Sequence, residues 1–216
     1  ITLSYGQRDR VRVTFALFCF SWGLFAAGAA RMQILGSPGW GTPADALEAA
    51  RILPLLVVLT MYNGLQYMLA LTGYHERLDD RFFFMSLRQY LWLYGFFCLL
   101  IIGVSLGTDR MLEELNFSPV LGYSVRFKPG AILFQFPLGL LDLMGLTLLI
   151  RRLREAEAGA YRAFVRHNLI GIVIIKVAVV VLANILPRFG LPTFLFSFHV
   201  YALSAFYFFG VIATYQ

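Results

Sequence analysis

The chain has 216 residues, of which 59% are hydrophobic and only 14% are charged, and its formal net charge is +6. A soluble domain carries about 25% charged residues, so this composition excludes an ordinary soluble fold and indicates an integral membrane protein. With roughly 20 apolar residues in each spanning helix, the chain has room for about six spans and none for a separate soluble catalytic domain.

Long apolar segments predict an all-α membrane protein, a bundle of about six transmembrane helices with two longer outer loops. Helices are favoured because a helix satisfies its own backbone polar groups inside lipid. We expect residues 1–216 to form this single bundle and to be a segment of a longer protein. The predicted spans are Val11–Ala30, Ile52–Thr72, Phe82–Leu106, Ala131–Ile150, His167–Leu186 and Pro192–Tyr215.

The arginines predict which side of the membrane each loop faces, because Arg and Lys collect on the cytoplasmic side. The N-terminal stretch, the loop YHERLDDR and the linker RRLREAEAGAYRAFVR hold most of the basic residues, and a six-helix topology places all three on one side. We therefore expect both ends of the chain to be cytoplasmic. The positive charge then reflects topology, and no nucleic-acid partner is expected.

Three connecting segments have local patterns of their own. In the outer loop of residues 31–51, ADALEAAR predicts a short helix leading into the second span. In the outer loop of residues 107–130, alternation over Tyr123–Phe127 predicts a two-stranded hairpin or an extended lid, with a turn at Lys128–Gly130. The Arg151–Arg166 stretch predicts a charged helix that extends the fourth or fifth span beyond the bilayer.

Two opposite charges lie deep in apolar segments, Asp142 in LGLLDLMG and Lys176 in IVIIKVAVV. Each costs several kcal/mol unless it meets a partner or water. From the cytoplasmic ends of their helices they lie roughly 12 and 14 Å deep, on consecutive antiparallel spans. Three interpretations stay open: a structural ion pair, a ligand or proton site, or a lysine that reaches the interface or a partner subunit.

Other polar residues extend this candidate cluster. His199 lies roughly 11 Å below the outer end of the last span. It is interpreted as a hydrogen-bonded histidine or, as the alternative, a ligand of haem or chlorin. A second ligand at that depth is missing from the sequence, so we expect no cofactor and no metal. Asn63 and Gln66 share a face of the second span and predict interhelical hydrogen bonds or a polar ligand pocket.

Arg88, near the start of the third span, is predicted to reach the inner surface or to pair with Asp79 or Asp80. The sequence has no HExxH motif, no phosphate-binding loop, no paired carboxylates and no Ser/His/Asp order in one accessible layer, so no catalytic residue is assigned and we expect no enzyme activity.

Several stretches together carry a family resemblance. They are the R-x-R before LFCFSWGLFAAG, then LALTGYHERL, SVRFKPGAILF, RRLREAEAGAYRAFVRHNLIGI and LANILPRFGLPTFLF…FFGVIATYQ. Their arrangement resembles the seven-helix N-terminal sensor region of bacterial histidine kinases, which also precedes diguanylate cyclases and serine phosphatases. In that family a further helix precedes this stretch and an output domain follows it. The chain itself carries no phosphoacceptor histidine box, ATP-binding motif or GGDEF-like motif.

The resemblance implies a sensor in the bacterial cytoplasmic (inner) membrane that detects a small or lipophilic signal. The signal would pass to a cytoplasmic output domain through a relay of charged residues: Arg151, Arg152, Arg154, Arg162 and Arg166. Expected partners are membrane lipids and a second copy of the chain or a partner membrane subunit. The alternative function is a non-catalytic accessory or scaffold subunit of a large membrane complex.

Overall fold

The computed structural model describes residues 5–35, 40–107, 112–118, 122–127, 131–180 and 207. This part of the chain is mostly helical, which fits the helical part of the predicted class, and it contains two small hairpins. The helices are α1 (Tyr5–Leu35), α2 (Pro43–Thr72), α3 (Leu87–Gly107), α4 (Ala131–Glu155) and α5 (Ala160–Val180), with a 3-10 turn at Tyr74–Glu76. The strands are β1 (Arg81–Phe82), β2 (Met85–Ser86), β3 (Leu112–Ser118) and β4 (Gly122–Phe127).

Two helical stretches in the described part are long and apolar enough to cross a membrane, Arg8–Met32 within α1 and Leu87–Gly107, which is α3. The total of about six spans stays a prediction. The predicted sixth span, Pro192–Tyr215, lies outside the described residues except for Tyr207, and so does the end of the fifth.

The chain divides into two compact units. The first contains Ser4–Ser118 and Gly122–Leu148, and the second contains Leu149–Gln216 with Ile1–Leu3 and Pro119–Leu121. The first unit therefore holds α1 to α3, both hairpins and most of α4. The second holds the end of α4 and all of α5. A single bundle over residues 1–216 stays a prediction.

Helix α2 begins and ends at residues suited to those positions. Thr42 precedes it as N-cap: its hydroxyl accepts from the Asp45 amide at 3.3 Å, and its own amide donates to the Asp45 carboxylate at 2.8 Å. This reciprocal pair is a capping box. The helix ends at Gly73, whose φ of 78° suits glycine. The helix predicted from ADALEAAR is confirmed, and it continues into the second apolar segment without a break.

Helix α3 begins at Leu87, and the prediction that the third span starts near Phe82 was wrong. Residues Arg81–Ser86 form a small antiparallel hairpin, with Phe82 opposite Met85. A second capping box then starts the helix, because the Ser86 amide donates to the Gln89 side chain and the Gln89 amide donates to the Ser86 hydroxyl. The apolar run FFFM resembles helix interior by composition, but its residues form the tip of the hairpin, with Phe83 and Phe84 as the turn.

The outer loop contains the predicted hairpin. Strands β3 and β4 pair antiparallel from Leu112 opposite Phe127 to Ser118 opposite Gly122, with an irregularity between Leu112 and Glu114. The turn predicted at Lys128–Gly130 lies outside the described residues.

Helix α2 is the central element of the first unit. One side packs on α1, where Gly64 faces the Phe18 ring and Gly28 of α1 faces Leu56. The other side contributes to an apolar core with α3, α4 and the β1–β2 hairpin. Its buried members are Val58, Leu65, Leu69, Tyr74, Phe82, Leu87, Tyr94, Cys98, Ile101, Met144 and Leu148.

The second unit contains the predicted charged extension. Helix α4 continues to Glu155 and α5 starts at Ala160, so the Arg151–Arg166 stretch extends both helices around a short break. Gly159, at φ 151°, lies in that break. On α5, Gly171 lies so close to the Tyr207 ring that a methyl group in its place would overlap it. The Tyr207 hydroxyl donates a hydrogen bond to the His167 carbonyl.

The capping box predicts a pH-dependent contribution to stability. Hydrogen bonds from the Thr42 hydroxyl and then the Thr42 amide lower the pKa of Asp45 from its ordinary 3.8. A carboxylate with a lowered folded-state pKa stabilises the fold above the ordinary value, and the contribution is lost as pH falls through the lowered one. Asp45→Ala should therefore lower the thermal midpoint at neutral pH, and this deficit should shrink in acid.

A pH series of thermal unfolding in one detergent measures that deficit. In a Thr42→Ala background the effect of Asp45→Ala should be smaller but still present, because the hydroxyl donor is lost whereas the backbone amide at position 42 still donates to the Asp45 carboxylate. A deficit of the same size at every pH contradicts the assignment.

The close approach of α1 and α2 predicts an asymmetry between two glycines. A side-chain carbon at Gly64 would lie 3.0 Å from the Phe18 ring, whereas Gly23 of α1 has nothing within 4 Å. Gly64→Val should destabilise the protein by about 1–3 kcal/mol through overpacking. Gly23→Val, the matched control, should be near neutral. Equal midpoints for the two variants in thermal unfolding would show that the helices do not need this contact distance.

Candidate functional site

The interface of α1 and α2 contains a row of neutral hydrogen bonds. The Thr60 hydroxyl lies within bonding distance of two carbonyls, 2.7 Å from Leu56 on its own helix and 3.1 Å from Ser21 on α1. One turn away, the Asn63 side-chain amide donates to the Leu17 carbonyl at 3.4 Å. The predicted interhelical hydrogen bond of Asn63 is thus present, which favours a structural role for its amide.

The interface of α2 and α3 contains a buried phenol. Tyr94 is only 1% exposed, and its ring stacks on Tyr62 of α2 with centroids 6.1 Å apart. Among the described residues its hydroxyl interacts with the Cys98 thiol one turn along α3, a weak partner, and makes no hydrogen bond of ordinary geometry. Burying such a group without a strong partner costs about 1–3 kcal/mol, so the hydroxyl is a candidate contact for a bound molecule. Gln66, half-buried, lies one turn from Tyr62.

The two charges that were predicted to lie inside the membrane belong to different units. Asp142 is half-buried on α4 in the first unit, one turn from Gly145, which packs tightly against the Met68 side chain. Lys176 lies on α5, and its side chain is outside the described residues, as is the whole of His199. The cluster of Asp142, Lys176 and His199 therefore stays a prediction.

The predicted relay arginines surround the break between α4 and α5. Arg151 and Arg152 both contact the Glu155 carboxylate, at 3.0 and 3.7 Å. Arg152 also reaches across the break: its Nε donates to the Tyr161 hydroxyl at 3.1 Å, and its guanidinium lies 5.4 Å from the centre of that ring. The other three, Arg154, Arg162 and Arg166, are exposed.

We call the Arg152, Glu155 and Tyr161 contacts the Arg152 junction. Arg152 is only 14% exposed, so its bond to Tyr161 is shielded from water. The junction therefore fixes the end of α4 to the start of α5 by a hydrogen bond from a charged donor, which is stronger than a neutral one.

Arg88 has one of its expected partners. Its guanidinium lies 3.2 Å from the Asp79 carboxylate, and both side chains are exposed. Exposed pairs contribute little stability, so this contact orients the start of α3 more than it stabilises it.

Sequence reasoning missed several of these residues. Thr60 lies three residues before Asn63, and the same spacing argument that selected Asn63 and Gln66 would have included it. Tyr94 and Tyr161 have no comparable signal, because their roles depend on the helix pairing and on the turn between α4 and α5.

Within the described residues, no group of three or more His, Cys, Asp or Glu side chains is arranged to hold a metal ion. No protein-family model, curated protein or solved structure matches the chain. The resemblance to bacterial sensor regions therefore stays a prediction from sequence.

The two kinds of buried hydroxyl predict different responses to deletion. Thr60→Val removes an interhelical hydrogen bond and should destabilise the protein by about 0.6–1.7 kcal/mol. Tyr94→Phe removes a hydroxyl whose interaction among the described residues is with the weakly bonding Cys98 thiol, and it should be close to neutral. Thr60→Ser, which keeps the hydroxyl, is the control, and equilibrium unfolding in one detergent compares the variants. A clear loss of stability in Tyr94→Phe would mean that this hydroxyl has a stronger partner in the folded protein.

Proposed function

We propose that the chain is a membrane-embedded input module that detects a small or lipophilic signal and relays it to a cytoplasmic output domain. The observation that carries the proposal is the Arg152 junction. It joins the end of α4 to the start of α5, between the apolar segments of the two helices, through a shielded contact between charged and aromatic groups. A rigid link at this position suits the transfer of a small helix shift.

The composition of the linker also supports a relay. Beyond the junction, Arg154, Arg162 and Arg166 project into solvent and pair with no described carboxylate that would neutralise them. Such a basic surface can contact anionic headgroups or an acidic face of an output domain. A displacement of α4 would move this surface relative to either partner.

The candidate signal-binding residues in this proposal are those predicted from the sequence, Asp142, Lys176 and His199. Opposite charges in apolar segments can bind a polar group of an otherwise lipophilic molecule. Asn63 is the weaker candidate because its amide already bonds Leu17. The Tyr94 hydroxyl and Gln66 are further contacts that such a molecule could use.

The proposed setting is the bacterial inner membrane, with both ends of this segment cytoplasmic and a homodimer or partner membrane subunit beside it. The alternative, a non-catalytic accessory subunit, has one supporting observation. Helix α3 exposes a stripe of large apolar side chains, Trp92, Phe96, Leu99 and Leu106, which fits a neighbouring subunit as well as lipid.

Ligand screening by thermal shift tests the proposal on the purified protein. A signal molecule should raise the midpoint of the wild type, and Asp142→Asn and Lys176→Met should each reduce that shift. Thr147→Val, a change on α4 whose hydroxyl bonds only its own helix at Leu143 among described contacts, is the matched control and should keep the shift.

Spin labels at Arg154→Cys and Arg162→Cys then test the relay, in a background without Cys19 and Cys98. The distance between the labels should change on ligand binding, and Tyr161→Phe, which removes the hydrogen bond but keeps the ring, should weaken that change. An unaltered distance with bound ligand excludes the relay. A partner that co-purifies in fixed stoichiometry from native membranes, without any ligand response, supports the accessory subunit instead.

A further inference from the structure

The turn between β1 and β2 has an unusual backbone for its sequence. Phe83 and Phe84 form it, between the paired residues Phe82 and Met85. Phe83 has φ 58° and is the one non-glycine residue with positive φ in the described part of the chain. Glycine or asparagine normally occupies such a position, because a bulky side chain there is strained. A phenylalanine in this strained position therefore indicates that its side chain has a function.

The two side chains of this turn are not used to build the core. Phe84 is 82% exposed, the highest value among the large hydrophobic residues of the described chain, and Phe83 is 76% exposed, a value that Trp92 equals. The backbone strain at Phe83 is therefore not offset by burial of its side chain within the protein. Backbone strain of this kind is concentrated where a residue contacts something else.

The rings are held on a rigid base. Phe82 is buried in the apolar core, and its ring meets the Phe83 ring edge-on at 4.8 Å and the Tyr90 ring at 5.7 Å. The Phe84 ring also contacts Tyr90, at 5.9 Å. Backbone bonds from Leu87 to Asp80 and from Arg88 to Leu78 close the base of the hairpin. The turn thus presents two aromatic rings in fixed positions.

The position of the hairpin indicates what covers these rings. Helix α3, a candidate membrane span, starts directly after β2. The hairpin therefore lies at the end of that span, at the level where aromatic residues are enriched at membrane surfaces. Arg77 and Arg81 beside the hairpin are exposed. The start of α1 lies at the same end of the antiparallel α1–α2 pair as the hairpin. It carries three further exposed arginines, Arg8, Arg10 and Arg12.

The size of the patch favours lipid over protein. A phenylalanine buries about 150–250 Å² at most, so two rings supply a few hundred Å². A stable protein interface buries about 1,200–2,000 Å² in total. The arginines nearby match phosphate groups of anionic lipids.

We infer that Phe83 and Phe84 form an interfacial anchor that inserts into the headgroup region of an anionic bilayer at the cytoplasmic end of α3. The inference rests on the membrane embedding in the proposed function. By fixing one end of α3 at the lipid surface, the anchor sets the depth of the helix that carries Tyr94.

Nitroxide accessibility in proteoliposomes tests the anchor. The full chain, with Cys19 and Cys98 replaced by alanine, carries a single label at position 84, 79 or 99 in vesicles of equal parts phosphatidylcholine and phosphatidylglycerol. Leu99, exposed on α3, reports embedding, and Asp79, exposed beside the hairpin, reports water. We expect the ratio of oxygen to nickel-chelate collisions at position 84 to exceed that at position 79 severalfold.

The outcomes separate the two proposals. Nickel access at position 84 equal to that at position 79, with a lipid-like position 99, overturns the anchor and leaves membrane embedding intact. A water-like position 99 overturns embedding and the anchor together.

Phe83→Gly provides a second test whose result is not confounded by misfolding, because glycine readily adopts φ 58°. We expect an unchanged or higher thermal midpoint in detergent and greater nickel access at position 84 in vesicles. Unchanged nickel access would show that the Phe83 ring does not hold the turn in the lipid.

Discussion

The packing of α1 on α2 is the contact on which the rest of the first unit depends. If these two helices lie in lipid, as proposed, the hydrophobic effect contributes little to their association, which then depends on close approach and on hydrogen bonds between them. Gly64 and Gly28 allow that approach, and Thr60 and Asn63 direct polar groups at carbonyls of α1. Since α3 and α4 pack on the opposite side of α2, a shift of α2 on α1 would disturb the whole core.

The sequence was sufficient for the class of fold and for several helix boundaries, because these depend on local chemistry. The apolar segments predicted the helices, ADALEAAR predicted the start of α2, and Tyr123–Phe127 predicted a strand. The start of α3 was predicted wrongly, because composition cannot distinguish an exposed aromatic turn from a lipid-facing helix. The local signal was present: Ser86 and Gln89 are spaced as a capping box, and that pattern outweighs the apolar run before it.

The candidate site was only partly predictable, for a reason that its residues illustrate. Asn63 in an apolar span must find a hydrogen bond, and the helix beside it supplied one. Tyr94 and Arg152 are different, since their surroundings depend on which residues of another segment come opposite them. Periodicity assigns a residue to a face of its own helix, but it does not identify the side chain that meets it.

The hydrogen bonds between α1 and α2 and the contacts of the Arg152 junction differ in strength and in their sensitivity to salt. The bonds of Thr60 and Asn63 are neutral and lie between packed helices, so ionic strength has little effect on them. The Arg151–Glu155 pair is half-exposed and contributes little by itself. Within the junction, the bond of Arg152 to Tyr161 combines charge with shielding, so it is the stronger contact, and it joins the last turn of α4 to the start of α5. If a signal moves one helix against the other, that movement has to strain or break this bond.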